Sequence, residues 1–248
     1  MFGRLRRALF VSLFLCGLPL PASAWEEPPQ PAAEEEELPP ALTEYMGRRI
    51  AQTMHYAGAE WLIRDTRERE ERCSLLLTNL GAKRGITVCD MGCGNGFYAL
   101  KLAEMIGPMG RVLAVDIQPE MLALLKERAA AAELKNIEPI LGTLIDPKLP
   151  AGEVDLVLLV DVYHEFSHPE HMLAKIRESL SKEGVIALAE FRSEDPNVPI
   201  RELHKMSKEQ IMKEFPANGF KLVREYDKLP WQHLMFFARD DEWRPAQE

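Results

Sequence analysis

The chain has 248 residues, of which 46% are hydrophobic and 28% charged, and its formal net charge is −9. That is enough for one full-sized domain with a buried core and too little for two. The acidity excludes nucleic acid as the expected partner, because phosphate contacts need a basic face and no basic patch escapes the balance.

The first segment reads separately. Arg4, Arg6 and Arg7 precede an apolar run, Ala8 to Leu20, and Ala22 and Ala24 then supply small residues where a signal peptidase reads. This is the anatomy of a secretory signal peptide over residues 1–24, and the run is too short for a spanning helix. The expectation is an exported, extracytoplasmic protein with no stable membrane insertion after cleavage. The alternative is an uncleaved N-terminal anchor. Residues 25–40 carry five prolines and six glutamates and read as a disordered linker. Without the leader, Cys73, Cys89 and Cys93 remain, an odd number with no disulfide or CxxC spacing. No His/Cys cluster appears along the chain, so no metal is expected.

The domain is expected to begin near Ala41. Apolar spacing predicts a helix over 43–62 and a second over 65–80, which together form an N-terminal lid ending near residue 82. Tyr45, Met46, His55, Tyr56 and Trp61 would line that lid or pack on the sheet. The run Arg64 to Glu70 reads as a solvated helix face, with Arg64 or Arg67 binding an anionic substrate as the other option. From 83 to 248 strands and helices alternate. Strands are predicted at 86–90, 111–116, 137–141, 154–160, 185–190, 220–226 and 233–239. Helices are predicted after the glycine loop to Met105, and at 119–132, 169–181 and 207–215. The pattern implies an α/β fold, a doubly wound and mostly parallel seven-stranded sheet of Rossmann-like type.

In such a sheet ligands bind beyond the carboxyl ends of the strands. Three motifs fall there. The loop Asp90-Met91-Gly92-Cys93-Gly94-Asn95-Gly96 turns sharply and lets backbone approach a ligand. Its GxGxG spacing departs from the dinucleotide GxGxxG, and an acid before it suits a cationic ligand better than a pyrophosphate. Asp116 ends the second strand, where a carboxylate can accept from ribose hydroxyls; a helix-capping acid is the bland reading. Asp161-Val162-Tyr163-His164-Glu165 follows the fourth strand and forms a polar pocket edge.

These residues resemble the class I S-adenosylmethionine-dependent methyltransferases, of the kind that methylate ubiquinone precursors, over about Ile86 to Arg239. The resemblance implies S-adenosyl-L-methionine as cofactor. It assigns Gly92 and Gly94 to the methionine moiety and Asp116 with Ile117 to ribose and adenine; Asp90, Cys93, Gly96 and Asp161 complete the cofactor set. Thr143 stands where the family usually has an acid or amide beside adenine. The last two strands resemble the family's antiparallel edge hairpin. The stretches Glu202 to Ser207 and Pro230 to His233 are similar to exported bacterial methyltransferase-like proteins.

Methyl transfer from a sulfonium is an in-line displacement, so the protein supplies alignment and, for a protic acceptor, a base. His164 is the first candidate base, Tyr163 or Glu165 would orient it, and His204 is the second. Three functions stay open: methylation of a small molecule, non-catalytic sensing in the same pocket, and a nicotinamide-dependent oxidation, which the glycine spacing disfavours.

Overall fold

The computed structural model describes residues 38–244. The leader expected at 1–24 and most of the proline- and glutamate-rich segment lie outside the described residues.

The described chain starts with a surprise. Residues 43–62 are not a helix. Two short strands, β1 (Glu44–Tyr45) and β2 (Arg48–Arg49), pair antiparallel. Met46 and Gly47, between them, both have positive φ (48° and 94°), the geometry of a two-residue hairpin turn. An irregular stretch follows, then a 3₁₀ segment over Tyr56–Ile63, whose N-cap His55 accepts from Ala57 N–H. The second predicted helix is split into α1 (Arg67–Glu71) and α2 (Cys73–Asn79) by Arg72, which is left-handed at φ 54°. That break turns Arg67 and Glu71 inward, where they are 4% and 0% exposed. Within the charged run Arg67 is therefore buried, while Asp65, Glu68 and Arg69 remain exposed as expected.

The alternation then follows the sequence reading closely: β3 (Thr87–Met91), α3 (Phe97–Ile106), β4 (Arg111–Asp116), α4 (Pro119–Ala131), β5 (Ile137–Leu141), β6 (Val154–Val160), α5 (Pro169–Ser179), β7 (Leu180–Arg192), β8 (Lys205–Met206), α6 (Lys208–Ala217), β9 (Phe220–Tyr226) and β10 (Gln232–Arg239). Proline opens α4 and α5, where its missing N–H costs nothing. Ser207 caps α6 by accepting from Gln210 N–H.

All seven expected strands join one sheet in the order β5-β4-β3-β6-β7-β10-β9. β3 to β7 run parallel; β10 is antiparallel to β7, and β9, antiparallel to β10, runs in the same direction as the parallel strands. The eighth strand, β8, is only two residues long and was not expected. It pairs with Phe191 and Arg192 of β7, whereas β6 pairs with β7 only as far as Ala189. Since β10 occupies the other edge of β7, β8 continues the sheet past the end of β6. This small addition sets where His204 stands.

Alternate strand residues feed two cores. Val88, Val112, Leu156 and Phe236 pack with α2, α3 and α4. Cys89, Leu113, Val157 and Phe237 pack with α5 and α6. Each buried leucine, valine or phenylalanine contributes about 1.5–3 kcal/mol by leaving water, so the carboxyl edge of the sheet is a rigid base for loops. Strand order reverses between β4 and β6 on either side of β3, and the crevice opens there. No helix among the described residues is long and apolar enough to cross a membrane.

Candidate active site

The glycine loop leaves β3 and enters α3 through three positive-φ residues, Gly92, Gly94 and Gly96. Its shape is held by Cys93 N–H donating to Val115 O and by Gly94 N–H donating to Asp116 Oδ2, both at 2.9 Å. Two of these glycines do different work. A Cβ on Gly94, at φ 52°, would lie 2.6 Å from Leu62 of the N-terminal segment, on the cavity side. A Cβ on Gly96, at φ 83°, would lie 2.2 Å from Leu125, on the helix side. Gly96 thus lets α4 pack against α3 and does not face the cavity. Cys93 is also buried away from it.

Asp116 ends β4 with its carboxylate shared between Gly94 N–H and Gln118 N–H, the latter donating to Oδ1 at 2.9 Å. Burial raises its pKa, and these backbone donors oppose the rise. Each oxygen keeps a lone pair, and Asp116, Ile117 and Thr143 all line the same cavity.

Past β6 the chain turns through Tyr163–Glu165, a single 3₁₀ turn. Successive residues of such a turn diverge by about 120°, so the three neighbours separate. Tyr163 points into the lower core, donates to Glu214 Oε2 at 2.6 Å and packs on Phe166 and Phe215. It is not on the cavity wall, which corrects its candidacy as an orienting residue. His164 and Glu165 are on the wall. His164 Nδ1 lies 2.6 Å from Oε2 of Glu190, a fully buried residue of β7, and His164 Nε2 lies 3.0 Å from Nδ1 of His204. Burial disfavours charge on His164, but the Glu190 carboxylate outweighs it and raises the pKa. Burial and the neighbouring His164 lower that of His204. Burial pushes Glu165 up to about 7.

A third group sits behind β6. Asp161, left-handed at φ 52°, accepts from Gln232 Nε2 at 2.8 Å through Oδ2. Its Oδ1 is buried with no hydrogen-bond partner. Burial, then the carboxylates of Glu71 and Glu190, raise its pKa well above the usual range. Glu71 is held by Arg67 (2.9 Å) and Arg64 (2.5 Å). Arg67 reaches the cavity wall; Arg64 does not, and lies 3.8 Å over the Trp61 ring instead. Asp90 is buried below the loop, off the wall, with Oδ2 unpartnered and its pKa pushed by burial to about 7.

These groups surround one cavity of about 530 Å³, inside the range of small-molecule sites. Thr53, Met54, Trp61 and Leu62 line it from the N-terminal side. Of the residues first considered for that side only Trp61 does so; Tyr45, Met46, His55 and Tyr56 do not. The covering segment is stitched down at three points. Asn95 Nδ2 donates to Ala59 O (2.8 Å), Gln118 brackets Met54 O (2.9 Å) and Tyr56 N–H (2.8 Å), and Met54 N–H donates to Glu165 at 3.3 Å.

A family model described as a methyltransferase domain matches residues 82–239. The chain belongs to that family. Among curated relatives, it is 35% identical over 82 residues to a nocamycin O-methyltransferase of Saccharothrix syringae, covering 33% of this chain and 29% of that one. It is 27% identical over 117 residues to a demethylmenaquinone methyltransferase of Listeria monocytogenes, covering 47% and 48%. The matches thus span less than half the length of both relatives. A crystal structure of a SAM-dependent methyltransferase from Aquifex aeolicus has the same fold, with TM-score 0.70 and 23% identity over 75% of this chain and 98% of that one.

The cofactor of this methyltransferase family is S-adenosyl-L-methionine, and the donor set fits it. The cavity offers a carboxylate with spare lone pairs at the end of β4, for hydroxyls. It offers the orphaned Asp161 oxygen, for a cationic group. Of the residues expected to hold it, Gly92, Gly94, Asp116, Ile117, Thr143 and Asp161 meet on one wall; Asp90, Cys93 and Gly96 do not reach it. Glu190, Glu71 and Gln232 were missed, whereas Arg67, weighed for an anionic substrate, does reach the wall. Only Glu190 left a trace in the sequence, as an acid closing the aliphatic run Val185 to Ala189.

Proposed function

We propose that this chain transfers a methyl group from S-adenosyl-L-methionine to a small, largely apolar molecule bearing a hydroxyl, thiol or amine. The observation that carries the reading is the continuity of one cavity. It joins Gly94 and Asp116 at one end to His164, Glu165 and His204 at the other. Bound at the glycine-loop end, the cofactor supplies an activated methyl group. The chain's own residues do the rest. Asp116 and the loop backbone orient the nucleoside; Asp161 receives positive charge; Trp61, Phe166, Phe191 and Ile200 exclude water from the acceptor space. Glu190 fixes the ring of His164, so that the imidazole pair faces the acceptor and not the core.

The small-molecule reading is supported by cavity size and acidity. Site of action is a further part of the proposal: the signal-peptide pattern read in the sequence at 1–24 supports work outside the cytoplasm. Two measurements test the main reading. Isothermal titration with S-adenosylhomocysteine should give one site per chain, and Asp116→Asn should weaken it at least tenfold. Mass spectrometry of a hydroxyl, thiol and amine panel should then find a product 14 Da heavier (one methyl replacing one hydrogen). Absence of S-adenosylhomocysteine binding overturns the reading. Binding without turnover of any acceptor favours a sensor.

A further inference from the structure

The acceptor end of the cavity carries more than a base. A ring nitrogen of His164, a ring nitrogen of His204 and a Glu165 carboxylate oxygen all lie within 4.8 Å of one another. The closest pairs are 3.0 Å for the two histidines and 3.9 Å for His164 and Glu165. Ligand atoms around a tetrahedral zinc ion, bound at about 2.0–2.2 Å, stand about 3.3 Å apart. The three atoms therefore need shifts of well under 1 Å to share one ion. Two imidazoles and a carboxylate, with the remaining positions open to the cavity, form the donor set that selects first-row transition metals over calcium or magnesium.

Two independent features support this use. The first lies behind the ligand. His164 Nδ1 is held at 2.6 Å by the fully buried Glu190, so its proton sits on that side and Nε2 presents a lone pair. A carboxylate behind a histidine in this way is the usual outer support of a metal ligand. The second is charge. Glu165 is mostly buried, and among the described residues its one ion-pair partner is His164, at 3.9 Å. Its other contacts are the long bonds from Met54 N–H. The site thus has an acid without a cation of its own, beside two imidazoles that compete for one proton.

We propose that His164, Glu165 and His204 bind a divalent transition-metal ion, zinc in the simplest case, with Glu190 as the positioning residue. The ligands are 40 residues apart in the chain and meet only because β8 extends the sheet beyond β6. The ion's open positions face the acceptor space, where a hydroxyl or thiol can bind through its lone pair and release its proton to solvent water at lower pH than when free. This last use rests on the methyltransferase reading; ion binding itself does not.

The test is titration of the full chain, stripped with chelator, by Zn²⁺, with Co²⁺ as the optical probe. One ion per chain is expected, with ligand-field absorption from Co²⁺ that Zn²⁺ abolishes. His204→Ala, at the half-exposed ligand, should weaken binding about 100-fold and Glu190→Gln about tenfold or more. His171→Ala, at an exposed position of α5 off the cavity wall, should leave it unchanged. S-adenosylhomocysteine affinity should persist in His204→Ala, which shows that the variant is folded. Absence of an ion held tighter than the His204→Ala variant holds it overturns the proposal. So does one bound equally well by both. Loss of S-adenosylhomocysteine binding with zinc binding intact would instead overturn the methyltransferase reading alone.

Discussion

Asp90 offers a sharp test of how burial acts at the base of the glycine loop. Its carboxyl is 3% exposed, one oxygen has no partner, and burial pushes its pKa from 3.8 to about 7. A carboxyl whose folded pKa is raised is favoured in its neutral form, so its ionisation destabilises the fold. The penalty is absent below pH 3.8, grows through the window from about 4 to about 7, and is complete above it. Three units correspond to about 4 kcal/mol, at 1.36 kcal/mol each. Asp90→Asn removes that penalty but leaves an amide short of partners, at about 1–3 kcal/mol. The variant should therefore be less stable than the parent near pH 4 and more stable by about 1–3 kcal/mol near pH 8. For a domain of this size that is about 2–4 °C in Tm per kcal/mol. The assay is thermal unfolding of both proteins, without cofactor, across pH 4–8. Titrations common to both cancel in the difference. A Tm difference that stays flat with pH would refute the assignment of a raised pKa to Asp90. Because the carboxyl is off the cavity wall, S-adenosylhomocysteine affinity should change less than in Asp116→Asn.

Three further outcomes follow from the geometry. Tyr163→Phe should cost about 1–3 kcal/mol in unfolding free energy, since the fully buried Glu214 loses a 2.6 Å donor, while turnover on a found acceptor stays within about twofold; a turnover loss of a hundredfold would return Tyr163 to the site. Arg48→Met should cost about 3–5 kcal/mol, because Nε and Nη2 hold the Glu214 carboxylate at 2.6 and 3.1 Å and removing one partner strands a buried charge; chemical denaturation checks it, and a change under 1 kcal/mol would contradict the pairing. Gly96→Ala should lower stability by about 1–3 kcal/mol through its clash with Leu125, read by the same denaturation, with the Kd for S-adenosylhomocysteine moving less than in Gly94→Ala; the reverse order would mean that Gly96 faces the ligand after all.

The parallel sheet was legible in the sequence because its causes are local. Aliphatic runs such as Val154 to Val160 have no alternative to a strand covered on both faces, and prolines at 119 and 169 mark helix starts. The glycine-loop end of the cavity was legible for the same reason: Gly92, Gly94 and Asp116 sit at strand ends, and a strand's end is fixed once the strand is. The N-terminal segment was misread because its decisive residues are turn residues. Met46 and Gly47 with positive φ make a hairpin where apolar spacing promised a helix, and the break at left-handed Arg72 accompanies the burial of Arg67 and Glu71 in a stretch that looked solvated throughout.

Only tertiary structure decided the acceptor end. Tyr163 and His164 are neighbours in the chain, yet one lies in the core and the other on the cavity, because a 3₁₀ turn sends them different ways. Glu190, His164 and His204 come from β7, the turn after β6 and the turn before β8. Their 2.6 and 3.0 Å contacts depend on a two-residue strand too short to leave any periodic signal. Backbone propensity and hydrophobic period are properties of neighbouring residues and can be read in order. A constellation of polar side chains is set by which strands lie side by side, and that is chosen by the packing of the whole core.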